Sequence, residues 1–348
     1  MKIILFDIDG TLIKAGGAGA RALNHAVEAM TGRAEACKSI QLQGATDKSN
    51  FENAFKAGAG RKPTKKEMSV LTQKYVDRLP VEVLVSVKAK NYHKVKGVEK
   101  FLAKLSARKD VLVGLGTGNL KDGAFIKLEP SGLIKHFAFG GYGCDSHHRS
   151  EVLEKAVSRA AKIAKTTIKQ REVFVIGDTH RDVEAAKEAG YHSGVVLDGF
   201  GDPQAVMRSN PELMTKDFSN MKPWLIWLGL LKDPRGVRRG TYICPDSPIE
   251  HAHYGRTGMD LRDIETGIKR LRAEKKKITG KNEELRGNLQ RRKGQPPGLA
   301  RGRGRRPEDS LPGHLRRGSR ARQVFQRFQE AGANSGPRPA FMGSVGCC

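Results

Sequence analysis

Two carboxylates separated by one residue close the first apolar run of the chain, in Phe6-Asp7-Ile8-Asp9-Gly10-Thr11. Alternate residues of a strand share a face, so Asp7 and Asp9 converge if the extended geometry persists, whereas Gly10 favours a bend. Further on, Gly116-Thr117-Gly118-Asn119 offers a hydroxyl and backbone N–H groups free of bulky side chains, a set suited to an anionic oxygen. A third segment, Ile176-Gly177-Asp178-Thr179-His180-Arg181-Asp182, adds two more acids. Four carboxylates gathered in one place repel one another unless a hard cation sits among them. Carboxylate oxygens with few fixed ligands suit Mg²⁺.

Short runs rich in β-branched and aliphatic residues must position these groups. They fall at Ile3 to Phe6, Val111 to Leu115, Phe137 to Phe139, Val173 to Ile176 and Gly194 to Leu197, with helical stretches between them. That is the pattern of a buried parallel sheet wrapped by helices, and it predicts the α/β class. The three acidic or hydroxyl segments then lie at the carboxyl edge of the sheet, where open α/β folds bind ligands. Between the first two runs the apolar spacing is helical, at Ala22 to Met30, Asn50 to Phe55 and Glu67 to Val76. An insertion of that length exceeds a crossover helix and predicts a second, helical domain.

Together, DxDGT, a strand-terminal Thr-Gly-Asn and GDTxxD, in this order, resemble the haloacid dehalogenase-like hydrolase superfamily in its phosphatase branch, over roughly residues 1 to 230. The resemblance implies a Rossmann-like three-layer core from residues 1–14 and 96–230, with a helical cap at 15–95. It also implies a two-step phosphoryl transfer with Asp7 as nucleophile, Asp9 as general acid and base, and Thr117 as an oxyanion donor. Metal ligation falls to Asp7, Asp9 through its carbonyl, and Asp178, with Asp182 as the neighbouring acid that holds metal-bound water or a basic side chain. The cation that neutralises the phosphoryl group is assigned to Arg149, at the start of the helix leading to Val173, with Lys155 as competitor. Gly10, Thr11, Gly118 and Asn119 are expected against the substrate. The insertion resembles the cap of the phosphoglycolate phosphatase-like branch. Gly44-Ala45-Thr46-Asp47 is similar to a cap segment that carries arginine where this chain has Ala45, which counts against phosphoglycolate as substrate. Thr46 and Asp47 either contact substrate or cap the next helix. Asp9 argues against dehalogenation, since halide leaves without a proton. A small metabolite phosphate is the expected substrate, and a phosphomutase is the alternative within the superfamily.

The chain has 348 residues and a formal charge of +26, from 63 Lys+Arg against 37 Asp+Glu. The excess is concentrated late, because residues 231–348 hold 27 basic and 12 acidic residues, a surplus of +15. Residues 231–259 read as a linker. Leu261, Ile264, Ile268, Leu271, Ile278, Leu285 and Leu289 follow steps of three and four, a candidate coiled coil at 260–290 that offers a route to homo-oligomers. From 291 to 348, Arg, Gly, Pro and Ser dominate, a composition that cannot bury a core and reads as a disordered basic tail. Such a tail can bind nucleic acid through phosphates, so a carrier of a nucleic-acid-binding tail is the competing function class. A solvated extension is the favoured reading. Five cysteines without CxxC spacing, and no signal or membrane segment, lead to the expectation of a cytoplasmic protein without membrane partners.

Overall fold

Ile3, Ile4, Leu5 and Phe6 are all fully buried, and a strand with no exposed face belongs in the middle of a sheet. In the computed structural model, which describes residues 1–232 and the short strand Tyr242–Ile243, this is where β1 (Lys2–Phe6) lies. The chain continues through β2 (Ile13–Lys14), α1 (Ala18–Thr31), α2 (Asp47–Ala59), α3 (Lys65–Lys88), β3 (His93–Lys94), α4 (Val98–Ser106), β4 (Val111–Gly116) and α5 (Lys121–Leu128). It then runs through β5 (Phe139–Gly141), α6 (Arg149–Ala164), β6 (Val173–Gly177), α7 (His180–Glu188), β7 (His192–Val196), α8 (Pro203–Arg208), β8 (Leu213–Thr215), α9 (Met221–Trp227) and β9 (Tyr242–Ile243).

The main sheet has seven strands in the order β5-β4-β1-β6-β7-β8-β9, all parallel. The chain builds outward from β1 on one side and then returns to build outward on the other, so the strand order reverses beside β1. Crevices at that reversal bind ligands in open α/β sheets. β9 falls in the stretch read as a linker.

Alternation along β1 fills both faces. Ile4 and Phe6 point to one side, where Phe6, Phe101, Phe218 and Trp224 form an aromatic cluster with Phe101 stacked on Phe218 at 5.1 Å. Ile3 and Leu5 point to the other, against Leu153, Ala156 and Ala160 of α6 and Ala185 and Ala186 of α7. Two helical layers therefore sandwich the sheet, a Rossmann-like α/β fold.

The helices α1 to α3 leave and rejoin the sheet region through the antiparallel pair β2–β3, with Ile13 opposite Lys94. α1 and α3 are fastened by Glu82, which is 3% exposed and accepts from Arg21 Nε at 2.7 Å. α3 begins with a Thr64–Glu67 capping box and runs on through Pro80. Among the described residues, no helix is long and apolar enough to cross a membrane. The heptad positions between 260 and 290, the proposed oligomer contacts there, and the basic tail with its nucleic-acid reading lie outside the described residues.

Candidate active site

β1 delivers Asp7 at its carboxyl end, and the Asp7 N–H still pairs with the Ile176 carbonyl at 2.9 Å, so the nucleophile candidate rests on the sheet itself. The chain then turns at Gly10, with φ +84°, and a side chain there would stand 2.1 Å from Asp178 Oδ2. Both the positive φ and the close approach demand glycine. The bend expected from sequence is thus real, and it brings Asp9 away from the strand line to the cavity wall. Asp178 enters from the end of β6. Its Oδ2 accepts from the Phe200 N–H at 2.6 Å, while Oδ1 is buried without a hydrogen-bond partner. Asp7 Oδ1 is likewise buried without one.

Carboxylate oxygens of Asp7, Asp178 and Asp182 all lie within 4.8 Å of one another. Burial pushes Asp7 up to about 6; Arg149 opposes the rise and the neighbouring Asp182 adds to it, as does Asp9, while a hydrogen bond from Thr117 lowers it. Burial, together with Asp182 and Asp7, raises Asp178 well above the ordinary aspartate range. Two buried carboxylate oxygens that accept no hydrogen bond, held together against their own repulsion, fit a hard divalent cation.

Arg149, the first residue of α6, lies with Nη2 3.4 Å from Asp7 Oδ1 and pairs more closely with Asp182 Oδ1. Asp182 Oδ2 accepts from the Thr179 hydroxyl at 2.7 Å and the Thr179 N–H at 3.0 Å. Both Asp182 oxygens are thus engaged by protein donors, one of them Arg149, while its carboxylate still stands within reach of a cation shared with Asp7 and Asp178. Lys155 is exposed on α6 and stays out of the site.

A cavity of about 230 Å³ opens over these groups and is lined by Asp7, Asp9, Gly118, Asn119, Asp47, Arg149 and Asp178 among others. Of the remaining sequence candidates, Thr117 is fully buried and hydrogen-bonds Asp7, and Thr117, Gly10 and Thr11 are all absent from the cavity lining. Thr46 does not reach the cavity, because its hydroxyl caps α2 by accepting from the Ser49 N–H at 3.4 Å. Asp47 does reach it, with Oδ2 accepting from the Leu120 N–H at 2.8 Å. Burial drives Asp47 up to about 6 against the pull of Lys127.

Lys127 is the participant that sequence reasoning missed. It is 5% exposed and donates to Asp9 Oδ2 at 2.6 Å and Asn119 Oδ1 at 2.5 Å. A signal existed, since Gly123, Ala124, Lys127 and Leu128 share the buried face of α5, and a lysine on an otherwise small and apolar face needs a partner.

The segment from Leu42 to Lys48 is bound to the core around the cavity. Arg149 Nη1 donates to the Gly44 carbonyl at 3.1 Å, and the Asp47 N–H to the Gly118 carbonyl at 2.7 Å. Lys48 Nζ donates to the Cys144 carbonyl at 2.8 Å, and Arg181 Nη1 to the Gln43 carbonyl at 3.1 Å.

The model of the family described as haloacid dehalogenase-like hydrolase matches residues 4–196, more than half of the chain. The chain belongs to the haloacid dehalogenase-like hydrolase family. Among solved structures, a haloacid dehalogenase-like hydrolase family protein from Streptococcus pneumoniae is 16% identical, covering 65% of this chain and 98% of that one at a TM-score of 0.47. A predicted phosphoglycolate phosphatase from Haemophilus somnus is also 16% identical, covering 64% and 96% at a TM-score of 0.48. A hydrolase from Pseudomonas syringae is 19% identical, covering 62% and 94% at 0.47. The curated proteins gave no match.

This hydrolase-family site carries a stability signature. Asp7 and Asp47 move from an ordinary 3.8 to about 6, so the folded protein binds more protons than the unfolded chain between these values. Stability therefore falls as pH rises from about 4 to about 6 and stays lower above it. Each displacement corresponds to roughly 3 kcal/mol against the ionised form. In metal-free buffer the unfolding midpoint is expected to drop across that window, and Mg²⁺ at pH 7 is expected to raise it again. Thermal unfolding over pH 4 to 7, with and without Mg²⁺, checks both signs.

Proposed function

We propose that the protein is a Mg²⁺-dependent phosphomonoester hydrolase acting on a small metabolite phosphate. The observation that carries this reading is the pair of buried oxygens on Asp7 and Asp178 that accept no hydrogen bond, with Arg149 ion-paired to Asp7, facing a cavity that Asp9 also lines. Asp7, the Asp9 carbonyl and Asp178 would hold the ion, which supplies charge neutralisation to the nucleophile and the phosphoryl oxygens.

Asp7 attacks phosphorus, the bond from phosphorus to the ester oxygen breaks, and Asp9 gives its proton to the departing alkoxide. Water then attacks the phosphoryl group on Asp7, Asp9 takes the water proton, and phosphate leaves with Asp7 restored. Hydrolysis of phosphate monoesters requires accelerations up to ~10²¹, so no single charge suffices. Arg149 faces the nucleophile, Asp182 holds Arg149, Thr117 braces Asp7, and the Gly118-Asn119 turn offers donors to the phosphoryl oxygens. The cavity volume and the bound 42–48 segment support a small substrate and a cap role for α1 to α3, which excludes water and macromolecules.

The test is phosphate release from p-nitrophenyl phosphate and then from a panel of metabolite phosphates, using the whole chain with and without Mg²⁺. Turnover that requires Mg²⁺ supports the reading. Inactivity on every ester in the presence of Mg²⁺ overturns it.

A further inference from the structure

The carboxylate of Asp9 is held asymmetrically. Oδ2 accepts from Lys127 Nζ at 2.6 Å and from Asn119 Nδ2 at 2.9 Å, while no hydrogen bond among the described residues reaches Oδ1. The two donors are locked to each other, because Lys127 Nζ also donates to Asn119 Oδ1 at 2.5 Å. Asn119 Nδ2 in turn donates to Thr117 Oγ1 at 2.8 Å. The Asn119 amide orientation is therefore fixed, with its oxygen toward the lysine and its nitrogen toward the two oxygens.

A carboxylate pinned through one oxygen by two mutually bonded donors cannot rotate freely about its terminal bond, so the other oxygen keeps one direction. We infer that Lys127 is a positioning residue for leaving-group protonation. By fixing Asp9 Oδ2 together with Asn119, it reserves Oδ1 as the oxygen that exchanges a proton with the ester oxygen and later with water. This inference rests on the phosphatase reading and assigns Lys127 no contact with substrate.

The helical insertion takes part in holding the lysine. A side chain added at Gly19, in the first turn of α1, would lie 3.3 Å from Lys127 Nζ and 3.5 Å from the Tyr75 hydroxyl. α1 thus closes over the ammonium group and leaves it little room to move off Asp9. Gly19 has ordinary helical backbone geometry, so alanine fits the helix there and only nudges the lysine.

The experiment compares kcat/KM for glycerol phosphate, whose alkoxide must be protonated, with that for dinitrophenyl phosphate, whose phenolate leaves without a proton. This constant reports only the steps up to loss of the leaving group. Lys127→Met is expected to lower the glycerol phosphate value about 100-fold, the scale set by misplacing a general acid, and to lower the dinitrophenyl phosphate value less than about 10-fold. Gly19→Ala, which keeps every charge, is expected to move the same ratio in the same direction by about 3- to 10-fold, and it decides the matter should Lys127→Met fail to fold.

Equal losses on both esters in Lys127→Met, or an unchanged ratio in Gly19→Ala when the methionine variant cannot be made, overturn the inference and leave the phosphatase reading standing. Failure of the unaltered enzyme to turn over these two esters and every other phosphate ester of the panel with Mg²⁺ overturns both.

Discussion

Asp7→Asn is expected to lower Mg²⁺-dependent phosphate release by at least about 10⁴-fold while making the metal-free protein more stable. The two effects have opposite signs because one side chain serves both. In the proposed role of nucleophile it must be ionised, and asparagine cannot form the covalent link to phosphorus. As a buried anion it is costly, since burial pushes it up to about 6 even with Arg149 beside it. At pH 7 the charge costs on the order of 3 kcal/mol, most of which an isosteric amide removes. The unfolding midpoint in metal-free buffer should therefore rise in the variant, and the rise that Mg²⁺ gives the unaltered protein should shrink. Steady-state kinetics and thermal unfolding on the same preparations check both, and a variant that retains turnover would remove Asp7 from its assigned role.

Arg149→Met is expected to lower activity and stability together. Its guanidinium is buried and faces three carboxylates, those of Asp182, Asp7 and Asp178. Methionine keeps much of the volume and removes the charge, leaving Asp182, which is 2% exposed, with its Oδ1 uncompensated. Breaking a buried pair from one side costs about 3–5 kcal/mol. Loss of a preorganised donor at the phosphoryl group costs a further factor of about 10²–10³ in kcat. Added Mg²⁺ should recover part of the stability and little of the rate, because the ion offsets the carboxylate charge from another direction. Chemical denaturation with and without Mg²⁺, paired with kcat, separates these losses; full activity in the methionine variant would return the neutralising role to another cation.

The contrast between the two variants reflects what the sequence could reveal. Acids at strand ends are legible because β1, β4 and β6 are buried on both faces and so read as continuous apolar runs that stop where chemistry begins. β5 begins two residues later than the apolar run Phe137 to Phe139 implies. Phe137 carries the aromatic signal yet packs edge-on against Phe6, while the strand itself is Phe139-Gly140-Gly141, whose glycines give none. β8, at three residues, is too short for alternation to register. Helical spacing located α1 to α3, but α3 continues to Lys88 past a proline that local propensity treats as a stop.

Within the site, Arg149 was reachable because the family resemblance calls for a cation before the helix leading to β6 and Arg149 stands at its start, and Thr46 was reachable as a cap from its type and position. Lys127 left a weaker trace, a lysine at helical spacing from small and apolar residues, but its partners Asp9 and Asn119 stand 118 and 8 residues away and only the folded chain brings the three together. A positive charge is scored as surface until its burial is known.

Arg149 has one further bond, from Nη1 to the Gly44 carbonyl on the helical side of the cavity. The same guanidinium thus senses the nucleophile through one nitrogen and the position of the insertion through the other. On the phosphatase reading, any outward movement of the 42–48 segment would break that tether and loosen the counter-charge beside Asp7 in a single motion. On that reading confinement and reactivity would be geared to one side chain, and an opened chamber would also be a chemically quiet one.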